Sequence, residues 1–480
     1  MGPLDNLKKI RLEKLEEIKK LNIDPFPAKS AKKNTIADCL KSIGKNVQTA
    51  GRITSIRSHG GSTFMDLMDQ SGKIQLFFSK DKLSTTNNEL LTLLDIGDFI
   101  EVSGEVNKTK AGQITIFATS FNLLTKSIRS IPQTFYGLKD TETKLRKRYL
   151  DLIANPEVQE LFIKKTKFWS AVRQFLLDQD FLEVETPALE PIPGGADATP
   201  FTTHHNALDT DFYLRISLEL YQKRLLVGGF EKTFEIGKIF RNEGIDAEHL
   251  QDYLQMEFYW AYADYEDLIS FVEKYYRFIV KETLGVTKSI SDSQTIDWQK
   301  DWQKVDYFDS FKTETGIDLA KNPSVDELFK MAEKIGAKPA KKLGEGRLID
   351  MIYKKTVRPK LIQPTLLVNH PLIVSPLAKK LESDPQKVQR VQVLAAGTEI
   401  GNGWSELNNP IDQRERFEEQ QKLRKQGDTE AQMYDRDFVE ALEYGMPPAA
   451  GFGFSQRFFA VLVDKPIRET VFFPTLRPEK

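Results

Sequence analysis

Two neighbouring stretches decide the fold of the larger part of this chain: FEIGKIFRNEG at residues 234–244 and YLQMEFY at residues 253–259. An alternating run, a charged loop and a second alternating run predict a strand, a loop and a return strand. Successive side chains of a strand point to opposite faces, so one face of the return strand carries Tyr253, Gln255, Glu257 and Tyr259. Two aromatic rings, an amide and a carboxylate make a poor core and favour the floor of a polar ligand site.

The length and composition are typical of a globular protein with more than one domain. The 480 residues exceed what a single hydrophobic core supports. Apolar residues make up 40% of the chain and charged residues 29%, which is the usual range. Residues 1–45 hold eleven Lys or Arg against six Asp or Glu. Such a basic segment suits contact with a phosphate backbone, and equally a solvated helix face.

Several kinds of site and location are excluded by what the sequence lacks. Cys39 is the only cysteine, so neither a disulfide framework nor a cysteine-based metal site is expected. The five histidines are too scattered for a zinc site, and the glycine signatures of P-loop, dinucleotide and serine-hydrolase sites are missing. No apolar run reaches the roughly 20 residues of a membrane span, and the first residues lack the apolar core of a signal peptide. We therefore expect a cytoplasmic protein without membrane contact.

Residue patterns divide the chain into three parts. Residues 1–45 begin with an amphipathic helix, whose apolar residues stand at 4, 7, 10, 15, 18 and 21. Prolines 25 and 27 end the helical pattern, and the remaining residues form a lead-in, a loop that connects the helix to the next part. Residues 46–130 hold five short alternating runs, which predict a small barrel of the OB-fold type or a barrel with no nucleic-acid role. Residues 131–480 form a larger domain, interrupted by a lysine-rich helical insertion at 281–360.

The larger domain contains three clear local patterns. Residues 157–179 predict a helix whose core positions are Phe162, Phe168, Val172, Phe175 and Leu176. Residues 181–187 predict a short strand ended by proline, and residues 457–463 a final helix. Arginines, glutamates and aromatic rings predominate near these elements, and no covalent nucleophile stands out. This residue set favours a reaction that depends on positioning and charge neutralisation.

A series of motifs matches one enzyme family in order. They are residues 181–187, IPGG at 192–195, THHNAL at 203–208, YLRI at 213–216, GGFE at 228–231, FRNEG at 240–244, HP at 370–371, SPLAK at 375–379, NGWSELN at 402–408, and residues 438–448 and 472–478. On these motifs the chain resembles the bacterial-type class II (class IIb) lysyl-tRNA synthetases over essentially its whole length. The resemblance implies an α+β fold, in which an N-terminal OB-fold β-barrel precedes an antiparallel sheet flanked by helices. It also implies a homodimer whose interface includes the Pro187 region.

The resemblance implies a binding site for L-lysine. Lysine carries two ammonium groups and a carboxylate, so its site needs two separated anions and a cation. The implied ligands are Glu219 and the Gly195 backbone for the α-amino group, Glu406 and Tyr259 for the ε-amino group, and Arg241 and Asn402 for the carboxylate. A carboxylate at position 406 argues against an aspartate-specific relative, because a buried unpaired charge is costly.

ATP is implied as the second substrate. Glu243, His249 and Tyr253 match positions that contact adenine, with Tyr253 where the family usually has phenylalanine. Arg241 is implied to meet the α-phosphate, and Arg457 to cover the adenine ring and reach the γ-phosphate. These two arginines are the catalytic candidates. No basic residue is needed as a proton acceptor, because the attacking carboxylate is already ionised at neutral pH.

Two departures from the family pattern concern the metal and the last motif. The family's Mg²⁺ site uses two glutamates, and here Glu399 is kept while Gln392 replaces the other. An amide keeps one oxygen ligand and loses a negative charge, which weakens the binding of a hard divalent cation. The last motif, GFGFSQR at 451–457, is one residue short, lacks a third glycine and has Gln456 where the family has aspartate.

The barrel is implied to read the anticodon of tRNA(Lys). Arg57, Phe64 and Gln75 match positions that stack on and hydrogen-bond the central anticodon base, a uridine in lysine tRNAs. Phe64 shares its strand face with Asp66, so its ring should point away from Met65 and Leu67. The alternative is that Phe64 belongs to the barrel core.

The resemblance therefore implies lysine–tRNA ligase activity with ATP and Mg²⁺, by way of lysyl-adenylate and transfer to the terminal ribose of tRNA(Lys). Two alternatives stay open. One is a lysine- and tRNA-binding paralogue that has lost ligase activity, which Gln392 and the short last motif would explain. The other is a ligase that attaches lysine to a protein, which the presence of the barrel disfavours.

Overall fold

The computed structural model describes residues 3–131, 140–244, 249–340, 343–427 and 431–479, with the backbone alone for Pro3 and Leu4. The chain forms two compact units, Met1–Lys139 and Asp140–Lys480. Among the helices of the described ranges, none combines the length and the apolar character that crossing a lipid bilayer requires.

The first unit begins with two helices. The predicted amphipathic helix is α1 (Pro3–Lys20), which buries Leu15 and Ile18. The side chain of Leu4, one of its predicted apolar positions, lies outside the described residues. A short second helix, α2 (Ile36–Leu40), follows and leads into the first strand.

Five strands then close into a barrel, as the alternating runs predict. They are β1 (Asn46–His59), β2 (Ser62–Asp69), β3 (Gly72–Ser79), β4 (Phe99–Lys108) and β5 (Ile114–Thr125), with α3 (Thr85–Leu93) between β3 and β4. The pairing order is β1-β2-β3-β5-β4, and β3 and β5 are parallel neighbours. Met65 and Leu67 are completely buried inside the barrel.

The second unit combines a large sheet with many helices. Its helices are α4 (Thr141–Arg146), α5 (Arg148–Ala154), α6 (Pro156–Leu177), α7 (Glu219–Val227), α8 (Tyr265–Leu284), α9 (Tyr307–Thr315), α10 (Val325–Lys334), α11 (Glu345–Thr356), α12 (Pro410–Lys425), α13 (Arg436–Glu443) and α14 (Arg457–Leu462). Its strands are β6 (Leu182–Glu183), β7 (Leu189–Glu190), β8 (Thr202–His205), β9 (Thr210–Leu214), β10 (Lys232–Phe240), β11 (Asp252–Ala261), β12 (Lys288–Ser291), β13 (Gln294–Asp297), β14 (Gln303–Asp306), β15 (Thr365–Pro371), β16 (Lys387–Ala395), β17 (Thr398–Ser405) and β18 (Ala449–Ser455).

Eight of these strands form one sheet in the order β14-β15-β16-β17-β18-β11-β10-β6. The inner pairs are antiparallel, as predicted, whereas β14 and β6 join the two edges in parallel. The α+β fold implied by the resemblance is thus confirmed.

The two faces of the sheet differ in polarity because side chains alternate along each strand. On β11, Met256 and Phe258 are fully buried in an aromatic core together with residues of α6 and α8 such as Phe168 and Tyr275. The residues that alternate with them, such as Gln255 and Glu257, are polar and point to the other face. Helices α6 and α8 therefore pack on the apolar face, and the polar side chains of the other face can line a cavity.

Some local predictions need correction. The strand predicted at 181–187 is only two residues long. One further backbone bond joins Val184 N to Phe234 O at 2.8 Å, and the Thr186 carbonyl then accepts from the Arg215 side chain at 3.0 Å and not from β10. Four predicted core positions of α6 are buried, while Phe175 is half-buried and stacks on Tyr275. The insertion at 281–360 contains the hairpin β12–β13 and the edge strand β14 besides its helices.

Candidate active site

A cavity of about 290 Å³ lies on the polar face of the large sheet. The four β11 side chains predicted to share one face all line it, so the period-two prediction is confirmed. Other lining residues among the sequence candidates are Gly195, Glu219, Arg241, Glu399, Asn402 and Arg457. Strands distant in sequence thus bring most of the candidate residues to one place.

Glu257, at the centre of the floor, is held by several donors. Its Oε1 accepts hydrogen bonds from the Ser217 hydroxyl at 3.0 Å, the Leu218 amide at 3.1 Å and the Gln255 side chain. Its Oε2 accepts one from the Tyr259 hydroxyl at 2.9 Å. These bonds hold a buried carboxylate in a fixed orientation facing the cavity.

Next to Glu257 lies an acidic cluster that contains one lysine. Glu219, Lys223 and Glu406 are all buried, and Lys223 Nζ forms ion pairs with both carboxylates. Burial raises the pKa of Glu219 to about 8 and that of Glu406 to about 7, because taking a carboxylate out of water favours its neutral form.

The two oxygens of Glu406 have different surroundings. Oε2 accepts from Trp404 Nε1 at 2.9 Å and pairs with Lys223, whereas Oε1 has no hydrogen-bond partner among the described residues. Oε1 and the Tyr259 ring lie where a side chain at Gly451 would be, so a β-carbon there would collide with both. Glycine at 451 therefore allows this oxygen, which lacks a donor, and the Tyr259 ring to lie directly against the backbone.

Arg241 lies directly after β10, beside Tyr253 at the start of β11. Its backbone amide donates to Gln251 O at 2.8 Å and its Nε to Ile216 O at 3.3 Å. The guanidinium lies 6.0 Å from the centre of the Tyr253 ring. Glu243 and His249 flank residues 245–248, which lie outside the described ranges, and neither lines the cavity as the described residues define it.

Asn402 is oriented by an arginine that the sequence did not single out. Arg390 Nε donates to Asn402 Oδ1 at 3.0 Å, and its Nη1 donates to Val374 O and to the Ser375 hydroxyl, each at 2.9 Å. With its oxygen already accepting, the Asn402 amide nitrogen is left to donate to a ligand. Arg390 also lines the cavity and adds positive charge beside Arg241.

The two metal candidates are placed differently. Glu399 lines the cavity, whereas Gln392 is buried and its Oε1 accepts from the Tyr353 hydroxyl at 3.2 Å. Within the described ranges, no group of three or more His, Cys, Asp or Glu side chains could hold a metal ion. A site with one carboxylate can bind an ion whose other ligands come from elsewhere, such as Mg²⁺ bound to phosphates. It does not fit a metal site in which the protein supplies all the ligands.

Residues 140–477 match the family described as tRNA synthetases class II (D, K and N). The chain belongs to this family. Residues 47–124, the barrel, match the family described as OB-fold nucleic acid binding domain.

Individual members of the family are similar to this synthetase over nearly its full length. The lysine–tRNA ligase of Thermoanaerobacter pseudethanolicus is 42% identical over 99% of this chain and 97% of its own length. That of Moorella thermoacetica is 42% identical over 99% of both chains. The lysine–tRNA ligase of Bacillus subtilis is 40% identical, again over 99% of this chain, and over 98% of its own.

The barrel of the synthetase presents its three candidate residues on the outer face. Arg57 pairs with Phe64 across β1 and β2, and the Phe64 ring lies 5.0 Å from that of Phe77. Gln75 Oε1 accepts from the Thr115 hydroxyl at 2.9 Å. Phe64 is half-buried on the face opposite the core, which confirms the predicted direction of its ring and excludes the core alternative.

Sequence reasoning missed Lys223 and Arg390 in this synthetase. A signal for Lys223 was present, since it follows Glu219 by four residues on α7, the spacing at which helix side chains meet. Arg390 precedes Gln392 by two residues on β16 and so shares its side of the strand. Only the pairing of β16 with β17 shows that Arg390 meets Asn402.

Proposed function

We propose that this chain is a lysine–tRNA ligase. The observation that carries the proposal is the separation of charge along β11: Arg241 lies 6.0 Å from the ring of Tyr253, whereas Glu219 and Glu406 lie beside Tyr259, six residues farther along the strand. This separation complements lysine, whose side chain places an ammonium group away from its carboxylate. The similar ligases, 40% to 43% identical, support this activity rather than a paralogue that has lost it.

Lysine is proposed to lie along the floor of the cavity. Its α-amino group would contact Glu219 and the Gly195 backbone, and its ε-amino group would contact Glu406 and Tyr259. The oxygen of Glu406 that lacks a donor supports this assignment, because an ammonium group would supply the missing hydrogen bond. The carboxylate would bind Arg241 and the Asn402 amide.

ATP is proposed to bind above the carboxylate of lysine. Tyr253, Glu243 and His249 would contact adenine, and Arg457 would cover the ring and reach the γ-phosphate. A lysine carboxylate oxygen attacks the α-phosphorus and pyrophosphate leaves, which gives lysyl-adenylate. Arg241 contacts both reacting groups and stabilises the charge that develops between them. A ribose hydroxyl of tRNA then attacks the carbonyl carbon, and AMP leaves.

Mg²⁺ would neutralise phosphate charge during the first step. Glu399 is the proposed protein ligand, and Gln392 is a weak second candidate because its oxygen already accepts from Tyr353. Arg241, Arg390 and Arg457 line the same cavity and share the neutralisation of the phosphates. We therefore propose that the metal is carried mainly by ATP.

The remaining assignments concern the parts outside this cavity. Residues 46–130 are proposed to bind the anticodon of tRNA(Lys) through Arg57, Phe64 and Gln75, with residues 1–45 as a basic lead-in. Residues 131–480 are proposed as the catalytic domain with its insertion at 281–360. The protein is further proposed to be a homodimer whose subunit interface includes the Pro187 region. Its proposed location is the cytoplasm, without membrane contact.

The proposal is tested by the two half-reactions of the purified protein. Lysine should drive exchange of pyrophosphate into ATP, and tRNA(Lys) should become charged with lysine. Aspartate and asparagine are the matched negative controls, because the family also contains members for these amino acids. Absence of lysine-dependent exchange would contradict the proposal. Exchange without charging of tRNA would favour a ligase that uses another acceptor.

A further inference from the structure

Two carboxylates that the proposed function assigns to different amino groups of lysine share one buried ammonium group. Lys223 Nζ pairs with Glu219 Oε1 and with Glu406 Oε2, and the Lys223 side chain has no exposed surface. Lys223 therefore connects the proposed subsite for the α-amino group of lysine with the proposed subsite for its ε-amino group.

Each member of this triad is also held from a second side. Glu219 and Lys223 lie one turn apart on α7, so the helix fixes their spacing. Glu406 Oε2 is fixed by Trp404 Nε1, and the ring of Phe438 lies 5.9 Å from Lys223 Nζ. The bridge therefore has little freedom to shift when a ligand of the wrong length enters.

The charges of this region match a ligand with two ammonium groups. Glu219 and Glu406 pair with the ammonium group of Lys223, and a third carboxylate, Glu257, lies near both of them. If all three carboxylates are ionised, the group carries two net negative charges. Without Lys223, three carboxylates would lie together in a buried site. Such a cluster binds a proton, since like charges disfavour one another's ionised form.

We propose that Lys223 is a positioning residue that determines specificity: by bridging Glu219 and Glu406 it fixes the distance between the two ammonium subsites and so selects diamino acids by length. This inference rests on the proposed function. Ornithine has the same three charged groups as lysine and is one methylene shorter. With the carboxylates held by the bridge, it cannot engage both subsites at once.

The test compares lysine with ornithine in the Lys223→Met variant. Methionine keeps approximate length and apolar packing while it removes the bridge. We measure kcat/KM for both amino acids by pyrophosphate exchange. The lysine value should fall at least about tenfold, and the ratio of lysine to ornithine should also fall about tenfold, which corresponds to about 1.4 kcal/mol. A purely structural role would lower both values in parallel, and an unchanged ratio would overturn the proposal.

The chain offers a matched control in its barrel. Lys126 is also completely buried and pairs with two carboxylates, Asp95 at 2.6 Å and Asp98 at 2.8 Å. Lys126→Met removes an equivalent buried bridge far from any assigned substrate contact in its own unit. Its ratio of lysine to ornithine should equal that of the wild type. A change as large as in Lys223→Met would overturn the proposal, because general destabilisation would then account for both.

Proton release by the wild-type protein keeps the proposal testable if Lys223→Met does not fold. Calorimetry at pH 7 in buffers of different ionisation enthalpy counts the protons released on binding. Lysine should place an ammonium group at Glu219 and another at Glu406, so its binding should release protons from both carboxyl groups. Ornithine should reach only one of them and release fewer protons. Glu257 and Tyr259 also face the cluster, and they do so whichever amino acid binds. Equal proton counts would overturn the inference. Absence of lysine-dependent exchange in the wild type would instead contradict the proposed function itself.

Discussion

Lys165 Nζ donates a hydrogen bond to Gln456 Oε1 at 3.1 Å, and Gln456 directly precedes Arg457. The same ammonium group donates to Thr470 O at 2.7 Å. Its partners are neutral, because Gln456 stands where the family pattern has an aspartate. Burial, with a smaller effect from the charge of Lys238, lowers the pKa of Lys165 to about 8.

Gln456→Glu should therefore stabilise the protein at neutral pH. In the wild type the unfolded chain binds more protons than the folded one between about pH 8 and the ordinary lysine pKa of 10.5, so stability rises with pH in that window. A carboxylate at 456 should raise the pKa of Lys165 and remove this rise, adding about 1 kcal/mol at pH 7 after allowance for solvent screening. Urea unfolding at pH 7 and pH 9.5 measures both effects.

Gln421→Glu, at an exposed position of α12, is the control for a general effect of added charge. An equal gain in both variants, or a gain in Gln456→Glu that does not shrink at the higher pH, would contradict the ion-pair explanation.

Glu406→Gln should impair lysine binding selectively. The amide removes the charge that pairs with Lys223 and that we propose to bind the ε-amino group, and a charge-assisted hydrogen bond contributes about 1.5–3 kcal/mol. KM for lysine should rise about tenfold to a hundredfold, whereas KM for ATP should change less than about twofold. Asp437→Asn, which alters an exposed carboxylate paired with Arg224, is the control. A parallel rise in both KM values would argue for general damage.

Phe64→Ala should weaken recognition of tRNA without affecting adenylate formation. Stacking of one base on an aromatic ring contributes about 1–3 kcal/mol, so KM for tRNA(Lys) should rise about fivefold to a hundredfold. Pyrophosphate exchange should stay at the wild-type rate. Phe26→Ala removes an exposed phenylalanine of the same unit and should leave tRNA charging unchanged. Unchanged charging by Phe64→Ala would exclude this ring from the anticodon contact.

Gln392→Glu should lower the Mg²⁺ concentration needed for activity. The new carboxylate would lie on the strand next to that of Glu399, and a second hard oxygen ligand with charge favours a divalent cation. We expect the half-maximal Mg²⁺ concentration for pyrophosphate exchange to fall about threefold to tenfold. Gln389→Glu, on the same strand, is the control for added charge; it also removes the hydrogen bond that the Gln389 amide donates to Lys380 O. The same Mg²⁺ dependence in wild type and Gln392→Glu would show that this position does not reach the metal.

The polar floor could be predicted from sequence because it depends on strand period alone. Once residues 253–259 are a strand, Gln255 and Glu257 must share a face. The direction of the Phe64 ring followed for the same reason. In each case one local regularity sufficed, and no knowledge of distant parts of the chain was needed.

The bridge at Lys223 and the orientation of Gln392 could not be predicted this way. A lysine in a helix is normally exposed, and its burial here depends on Glu406, which belongs to a distant part of the chain. Gln392 turns towards Tyr353, a residue of α11, and so depends on how the insertion packs against the sheet. Such contacts are set by tertiary structure, which residue patterns do not encode locally.

Gly451 has a consequence for inhibition. The Glu406 oxygen can occupy its position only because residue 451 has no side chain. A competitive inhibitor with a cationic tail directed at this oxygen would take the place that we propose for the ε-amino group of lysine. Any substitution at 451 that excluded such a compound would exclude the natural amino acid as well. Drug resistance through this position would therefore cost the cell its supply of charged tRNA.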